Sequence, residues 1–195
     1  MLFMIKKLKT ILKYKNSGNI GSIKNILNSL DKSNFRIQIN SSSKNILKSD
    51  ALVLPGVGNF KNVLGFLDNR KLISVIKKFI KSGKPILAIC IGMQILFDYS
   101  EEGNISGLKC LKGKIIKLKS KKNIFLKDFE DHEYFYYIHS YYADINNKNI
   151  LMYYFHNKKK IPSLLKFDNL ICTQFHPELS GSLGKKIFSL FIKKI

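Results

Sequence analysis

The stretch Ile86-Leu-Ala-Ile-Cys-Ile-Gly-Met-Gln94 decides how the chain folds. Its first four residues are a continuous apolar run, which predicts a strand buried on both faces. Cys90 follows this strand, with a small residue two positions before it, Ala88, and another two positions after it, Gly92. Small residues at these positions allow a sharp turn from strand into helix that exposes the cysteine. The pattern predicts a nucleophile elbow, with a helix over Met93 to Asp98.

Predicted strands and helices alternate on the N-terminal side of the elbow, which indicates parallel β-α-β units. Strands are predicted at Thr10–Tyr14, Phe35–Ile39 and Ala51–Leu54, and helices over Ile20–Leu30 and Phe60–Lys81, the second with a break at Asp68–Asn69. The second half is β-rich: strands are predicted at Lys114–Leu118, Tyr134–Ile138, Leu151–Phe155 and Leu170–Thr173, a loop at 158–160 and a closing helix over Leu183–Phe191. We expect one α/β domain over residues 1–195.

The composition is that of an ordinary domain except for its charge. The 195 residues are 45% hydrophobic, and the formal net charge is +21. Of the 34 basic residues only Arg36 and Arg70 are arginines, whereas a protein that reads nucleic acid is expected to use more arginine forks. The three cysteines are far apart and indicate no disulfide framework or zinc site. Because no apolar run approaches the ~18 residues of a membrane span, we expect a soluble cytoplasmic protein.

Two further motifs could serve a cysteine nucleophile. Gln174-Phe-His-Pro-Glu178 follows a predicted strand and supplies a base, His176, with a carboxylate, Glu178, that could fix its tautomer. Pro55-Gly-Val-Gly58 follows another buried strand, and its glycines free the backbone to aim amides at an anion. Each motif alone is weak, because either could be an ordinary turn, and a lone cysteine is most often a small buried apolar residue.

Taken together, the motifs resemble those of the class I glutamine amidotransferases. Cys90-Ile-Gly-Met-Gln94 and Gln174-Phe-His-Pro-Glu178 are specific to that superfamily, whereas Pro55-Gly-Val-Gly58 and His139-Ser-Tyr-Tyr142 are most similar to the glutaminase subunits of imidazole glycerol phosphate synthase. The resemblance runs from about Thr10 to the C-terminus. It implies a three-layer α/β fold with a mostly parallel central sheet and a β-rich second half. Residues 1–9 have no counterpart and are expected to be an N-terminal extension.

The resemblance also implies a role for each motif. Cys90 would attack the side-chain amide of glutamine, His176 would transfer the proton that releases ammonia, and Glu178 would orient His176. The implied oxyanion and glutamine-binding residues are Gly56, Val57 and Gly58, then Gln94, and the backbone of His139, Ser140 and Tyr141. No metal or organic cofactor is implied.

The implied partner is a TIM-barrel cyclase subunit, which forms a heterodimer with the glutaminase. It would use the ammonia to make imidazole glycerol phosphate and aminoimidazole carboxamide ribotide in histidine biosynthesis. Neither nucleic acid nor a membrane is an expected partner.

Several positions depart from the family pattern. The chain has Lys13-Tyr-Lys-Asn16 where the family has Asp-Tyr-Gly, and Ala88 replaces the first glycine of the elbow. A family segment with Gly-Trp-Asn between Gly113 and His139 is absent, and the chain contains no Trp. Two alternatives therefore stay open: a related amidotransferase that feeds another acceptor, such as a surface-sugar synthase, and a non-catalytic basic protein of the same fold that binds nucleic acid.

Overall fold

The computed structural model of the protein describes residues 7–14, 19–30, 35–119, 134–146 and 148–195. The strands are β1 (Lys7–Leu12), β2 (Phe35–Asn40), β3 (Ala51–Leu54), β4 (Ile86–Ile89), β5 (Phe97–Ser100), β6 (Ile105–Ser106), β7 (Leu111–Lys117), β8 (Tyr141–Asp144), β9 (Ile150–His156), β10 (Lys159–Phe167) and β11 (Leu170–Thr173). The helices are α1 (Ile20–Leu30), α2 (Ser43–Lys48), α3 (Phe60–Asn69), α4 (Leu72–Lys81), α5 (Ile91–Gln94) and α6 (Gly181–Ile192), with a 3-10 turn at Pro177–Leu179.

The central sheet has seven strands in the order β2-β1-β3-β4-β11-β10-β9. The strands from β2 to β11 run parallel, and β10 and β9 add an antiparallel hairpin at one edge. A second sheet has the order β6-β5-β7-β8 and lies in the second half of the chain. The expectation of an α/β fold with a mostly parallel central sheet is confirmed.

Helices cover both faces of the central sheet. Successive residues of β3 and β4 belong alternately to two hydrophobic cores, because side chains along a strand point to opposite faces. One core contains the apolar faces of α3 and α4, and the other contains those of α1 and α6. This arrangement makes the three layers of the fold and buries β4 on both sides.

Three predicted elements were wrong. The helix expected over Met93 to Asp98 ends at Gln94, because Phe97–Ser100 pairs with β7 and β6 as strand β5. No strand forms over Tyr134–Ile138, whose backbone instead bonds the turn after β11: the His176 N–H donates to the Tyr136 carbonyl at 2.8 Å.

The expected loop at 158–160 is largely strand. Asn157 and Lys158 both have positive φ, 48° and 63°, which suits a two-residue hairpin turn. Lys159 and Lys160 therefore pair with the end of β9. Helix α2 was not predicted. Residues 7–9 of the expected N-terminal extension lie in β1, at the interior of the sheet.

Candidate active site

Cys90 lies at the sharp turn between β4 and α5. Its φ of 46° and ψ of −110° are unusual for a residue with a side chain, and such a conformation persists only where the surroundings enforce it. The Cys90 N–H donates to the Thr173 carbonyl at 2.6 Å, and its own carbonyl accepts from the N–H groups of Met93 and Gln94. The turn is thus held from β11 on one side and from α5 on the other.

The small residue after the elbow is required by a close approach of two backbone segments. A Cβ atom on Gly92 would lie 2.4 Å from the Leu54 carbonyl oxygen and 2.7 Å from that of Pro55. A Cβ atom on Gly56 would lie 2.7 Å from the Ile89 carbonyl oxygen and 3.0 Å from the Cys90 Cβ atom. The end of β3 therefore packs directly against the elbow, which places the glycine-rich turn beside the cysteine.

The late motif reaches Cys90 because β11 is the neighbour of β4. The two strands are parallel, and Thr173 is opposite Ile89, so the residues that follow each strand emerge at the same edge of the sheet. His176 Nδ1 lies 2.8 Å from Glu178 Oε1, and each of these side chains is 1% exposed. Residues 84 positions apart in the chain are brought into contact here: Gln174 Nε2 lies 3.7 Å from Cys90 Sγ.

The electrostatics of His176 favour its protonated form. Burial by itself lowers the pKa of His176, but the adjacent Cys90 and the hydrogen-bonded carboxylate of Glu178 outweigh burial and raise that pKa. Among the described residues, His176 Nε2 has no hydrogen-bond partner within ordinary range, although it is buried. The ring is therefore fixed on its Nδ1 side by Glu178, which leaves Nε2 unpaired among the described residues.

The turn that carries His176 and Glu178 is supported by the segment before β8. The Tyr136 N–H donates to Ser180 Oγ at 3.0 Å, and Ser180 Oγ donates to the His176 carbonyl at 2.6 Å. The ring centroids of Phe135 and Phe175 are 4.1 Å apart. These contacts explain why the segment is irregular, since its polar groups are used to hold the turn.

The turn Pro55–Gly58 is held at both ends. The buried Tyr14 hydroxyl donates to the Pro55 carbonyl. At the other end, Glu102 accepts from Asn59 Nδ2 at 2.8 Å and from the Phe60 N–H at 3.1 Å, at the start of α3. Neither Tyr14 nor Glu102 was assigned a role from the sequence. The half-buried Val57 lies within this turn, whose glycines contact the elbow and the cavity beside it.

A cavity of about 240 Å³ opens beside Cys90. Its lining includes several of the predicted site residues, together with Glu102 and Tyr137: Gly58, Cys90, Gln94, His139, Ser140 and Tyr141. A larger cleft of about 860 Å³ lies along α3 and contains no cysteine or histidine. The smaller cavity is the better candidate site, because the predicted nucleophile Cys90 lines it. Its volume is below the roughly 300–1,000 Å³ of pockets for drug-sized ligands and therefore suits a small substrate.

Gln94 is anchored by a short chain of hydrogen bonds. Its Nε2 donates to the Tyr141 carbonyl at 2.8 Å and to Gln174 Oε1 at 3.2 Å. The same Tyr141 carbonyl lies 2.9 Å from His139 Nδ1, and the Ser140 carbonyl accepts from the Leu118 N–H at 2.8 Å. The carbonyls of Ser140 and Tyr141 are thus already in use.

His139 supports the wall of the cavity. Its Nδ1 faces the Tyr141 carbonyl, and its Nε2 lies 3.1 Å from the Tyr154 hydroxyl. Burial lowers the pKa of His139 to about 4, the bond to Tyr141 notwithstanding. The ring is neutral at physiological pH, so Nδ1 donates to Tyr141 and Nε2 accepts from Tyr154.

Among the described residues, Cys110, Cys172 and His156 do not line the cavity. Cys172 is fully buried within β11, and burial raises its pKa. Cys110 is partly buried in a connection, and burial raises its pKa as well. His156 ends β9, and His132 lies outside the described residues. In the described part of the chain, no group of three or more His, Cys, Asp or Glu side chains could hold a metal ion, and no helix there is long and apolar enough to cross a membrane.

Comparison with known proteins decides the family. The family model for glutamine amidotransferase class-I matches residues 18–195. The chain belongs to this family. The amidotransferase is similar to the imidazole glycerol phosphate synthase subunit HisH of Prochlorococcus marinus subsp. pastoris, with 38% identity over 91% of this chain and 94% of the relative. It is similar to the HisH subunit of Bacillus mycoides, with 36% identity over 88% of this chain and 90% of the relative.

Solved structures agree with the fold of the amidotransferase. A crystal structure of a glutamine amidotransferase superposes with a TM-score of 0.72 at 14% identity, covering 95% of this chain and 97% of the other. The structure of PurLQS from Thermotoga maritima superposes with a TM-score of 0.66 at 21% identity, covering 97% of this chain and 99% of the other. These likenesses establish the architecture that the sheet order already indicated.

Proposed function

We propose that this amidotransferase hydrolyses glutamine with Cys90 as nucleophile, His176 as acid and base and Glu178 as the group that orients His176. The observation that carries the proposal is the meeting of the strained Cys90 turn with the buried His176–Glu178 pair at one edge of the sheet. A buried histidine on a carboxylate, next to a cysteine held in a strained turn, is the arrangement that nucleophilic catalysis requires.

The reaction would proceed through a thioester. The Cys90 thiolate attacks the side-chain carbonyl carbon of glutamine, and the carbonyl oxygen becomes an oxyanion. Protonated His176 donates its Nε2 proton to the amide nitrogen, so the carbon–nitrogen bond breaks and ammonia leaves. Water then attacks the thioester while His176 accepts one of its protons, and the carbon–sulfur bond breaks. The new carboxylic acid loses the other proton to solvent, so the products are glutamate, the Cys90 thiolate and protonated His176.

The oxyanion would be held by backbone N–H groups. Gly56 and Gly58 belong to the turn that packs on the elbow and borders the cavity, and the amide that follows Cys90 begins α5. Amides aimed at the developing charge stabilise it most when they are held in place beforehand. The bonds of Tyr14 and Glu102 to the two ends of the turn supply that rigidity.

The amino-acid end of glutamine would lie against Gln94 and the segment 139–141. Both Gln94 Nε2 hydrogens are directed at protein acceptors, so the group that Gln94 offers to substrate is Oε1, an acceptor suited to the α-ammonium. The carbonyls of Ser140 and Tyr141 already accept hydrogen bonds. This stretch would therefore meet the α-carboxylate through its N–H donors.

The ammonia would pass to a synthase subunit, which we propose is a TIM-barrel cyclase that makes imidazole glycerol phosphate in histidine biosynthesis. Two observations support a partner over the site. The named relatives are synthase subunits, and three apolar side chains are exposed on the segments that border the site: Tyr134 at 46%, Ile138 at 57% and Leu179 at 42%. Large apolar side chains exposed around a site are suited to burial against another protein.

The triad is tested by glutamate release from glutamine, measured on the protein together with the subunit that co-purifies with it. We expect Cys90→Ala to abolish release, and Cys110→Ala to leave it unchanged, because Cys110 lies away from the cavity. A glutamine-analogue electrophile should label Cys90 and neither Cys110 nor Cys172. Release that survives Cys90→Ala would refute the triad.

The acceptor is tested by complementation. Expression of the chain with its co-purifying subunit should restore growth of a histidine auxotroph that lacks the amidotransferase subunit. Failure to restore growth while glutaminase activity is intact would instead support an amidotransferase for another acceptor.

A further inference from the structure

We infer that Gln174 is a further catalytic residue of this amidotransferase: its carboxamide donates a hydrogen bond to Cys90 Sγ while it accepts one from Gln94. The inference rests on the triad proposed above. Gln174 has no part in that triad or in the proposed glutamine-binding set, and it is 1% exposed at the end of β11.

The orientation of each carboxamide follows from one group that only accepts. The Tyr141 carbonyl lies 2.8 Å from Gln94, so the Gln94 group that faces it is the NH₂. The same NH₂ lies 3.2 Å from Gln174, which must present its Oε1 there. The other end of Gln174, its Nε2, is then a donor that faces Cys90 Sγ at 3.7 Å. Reversing either carboxamide would set two donors or two acceptors against each other.

A donor at this position favours the thiolate. Sulfur is a weak acceptor as a thiol, whereas an ionised acceptor forms hydrogen bonds about twice as strong. Gln94 and Gln174 are both buried, so a carboxamide N–H without an acceptor would not be compensated by water. Gln174 is held in place by its backbone, because its N–H donates to the Ser163 carbonyl at 2.8 Å. The sheet therefore fixes the donor next to the nucleophile.

Gln174 also joins the nucleophile to the substrate-binding side of the cavity. Its Oε1 holds the Gln94 NH₂, so Gln94 Oε1 is left to face substrate. Loss of the Gln174 carboxamide should consequently affect both steps: chemistry through Cys90, and glutamine binding through Gln94.

The other titratable groups near Cys90 are the same in the wild type and in a Gln174 variant. They come from the end of β1, the turn after β5, the segment before β8 and the turn after β11: Tyr14, Glu102, Tyr137, His139, His176 and Glu178. Of these, His176 is the group that carries a positive charge beside Cys90. A substitution at Gln174 leaves all of them in place.

The test is the rate at which iodoacetamide alkylates Cys90, followed by mass spectrometry of the full chain, because this small reagent does not need a glutamine site. Gln174→Met keeps the length of the side chain and removes the N–H donor. We expect the alkylation rate of this variant to fall about 10- to 100-fold at about pH 6.5 and by a much smaller factor at about pH 9.5. In the complex with the co-purifying subunit, kcat should fall and KM for glutamine should rise.

Two more variants separate the loss of the hydrogen-bond donor from a general effect of substitution. Gln174→Glu has the same shape but puts an acceptor against sulfur, so its alkylation at about pH 6.5 should be slower than that of Gln174→Met. Gln38→Met makes the same chemical change on β2, where Gln38 bonds Thr10 instead of a site residue, and should alkylate as the wild type does.

Each outcome decides a different claim. Wild-type Cys90 that reacts no faster than Cys110 overturns the triad and this inference together. A reactive wild type with an equally reactive Gln174→Met variant overturns the role of Gln174 alone. Slowing by the same factor at both pH values indicates altered access to the cavity, and it overturns the role as well.

Discussion

At the scale of the residue, the site depends on the backbone conformation of one residue and on the charges of its neighbours. Cys90 occupies backbone angles that nothing in its own chemistry favours. His176 keeps its proton against the cost of burial because Cys90 and Glu178 are adjacent. The Glu178 carboxylate also lies 3.4 Å from Asn19 Nδ2, a weak contact at the start of α1. Removing one of these charges should change the pH range of activity as well as its size.

Glu178→Gln tests this coupling. The carboxylate stabilises protonated His176, so its loss lowers the pKa of His176. The imidazolium then loses its proton at lower pH. We expect the alkaline limb of kcat/KM to move down by roughly one to three pH units, and the maximum to fall by about 100-fold or more.

The measurement is a pH profile of glutamate release by the complex. Glu101→Gln is the matched control, because Glu101 accepts from the Lys117 N–H at the surface and does not line the cavity. An unchanged alkaline limb in Glu178→Gln would show that Glu178 does not hold the proton on His176.

At the scale of the element, the site is assembled from the ends of neighbouring parallel strands. The elbow follows β4, the late motif follows β11 and the glycine-rich turn follows β3. All three therefore lie at the C-terminal ends of the parallel strands. Helix α6 then packs on the 3-10 turn that contains Glu178 so closely that it needs a glycine. A Cβ atom on Gly184 would lie 1.8 Å from the Pro177 carbonyl oxygen.

Two glycine substitutions separate packing from helix propensity. Gly184→Ala should destabilise the protein by about 2–3 kcal/mol, because α6 must move away from the turn. Gly65→Ala, in the interior of α3, has nothing within 4 Å of the added Cβ atom and should stabilise by about 0.5–1 kcal/mol. Urea denaturation gives both values, and a neutral Gly184→Ala would refute the close packing.

At the scale of the whole molecule, the net charge of +21 is separate from the proposed chemistry. None of the residues proposed for catalysis or glutamine binding is a lysine or arginine. The charge therefore acts through general repulsion, which opposes the compact state, and through attraction to acidic surfaces such as a partner face.

Thermal denaturation as a function of salt measures this repulsion. The Debye screening length decreases as ionic strength increases, to about 10 Å at 0.1 M. Added salt therefore weakens the repulsion between lysines, and we expect Tm to rise by a few degrees between about 0.01 and 0.15 M NaCl. KCl should give the same rise if screening alone is responsible. A Tm that falls or stays constant would mean that the lysines are compensated in the folded protein.

The sequence by itself determined the local features and the resemblance. Apolar runs predicted the bounds of β3, β4 and β11 to the residue. Both faces of these strands are buried, so nearly every residue is apolar and the run itself marks the strand. The motifs likewise predicted Cys90, His176 and Glu178 as the catalytic groups. Prediction from the sequence was wrong where the secondary structure depends on partners distant in the chain. Phe97–Ser100, for example, forms a strand because it pairs with β7 and β6.

Only the tertiary structure decided how these groups meet. The order of the sheet places β11 beside β4, which no local pattern specifies. It also gives roles to residues without a motif of their own, such as Tyr14 and Glu102, whose partners are 41 to 43 positions away in the chain. The direction of the Gln174 carboxamide follows from acceptors on other segments. A periodic pattern reports burial, whereas a hydrogen-bond partner is fixed only when separate strands have packed.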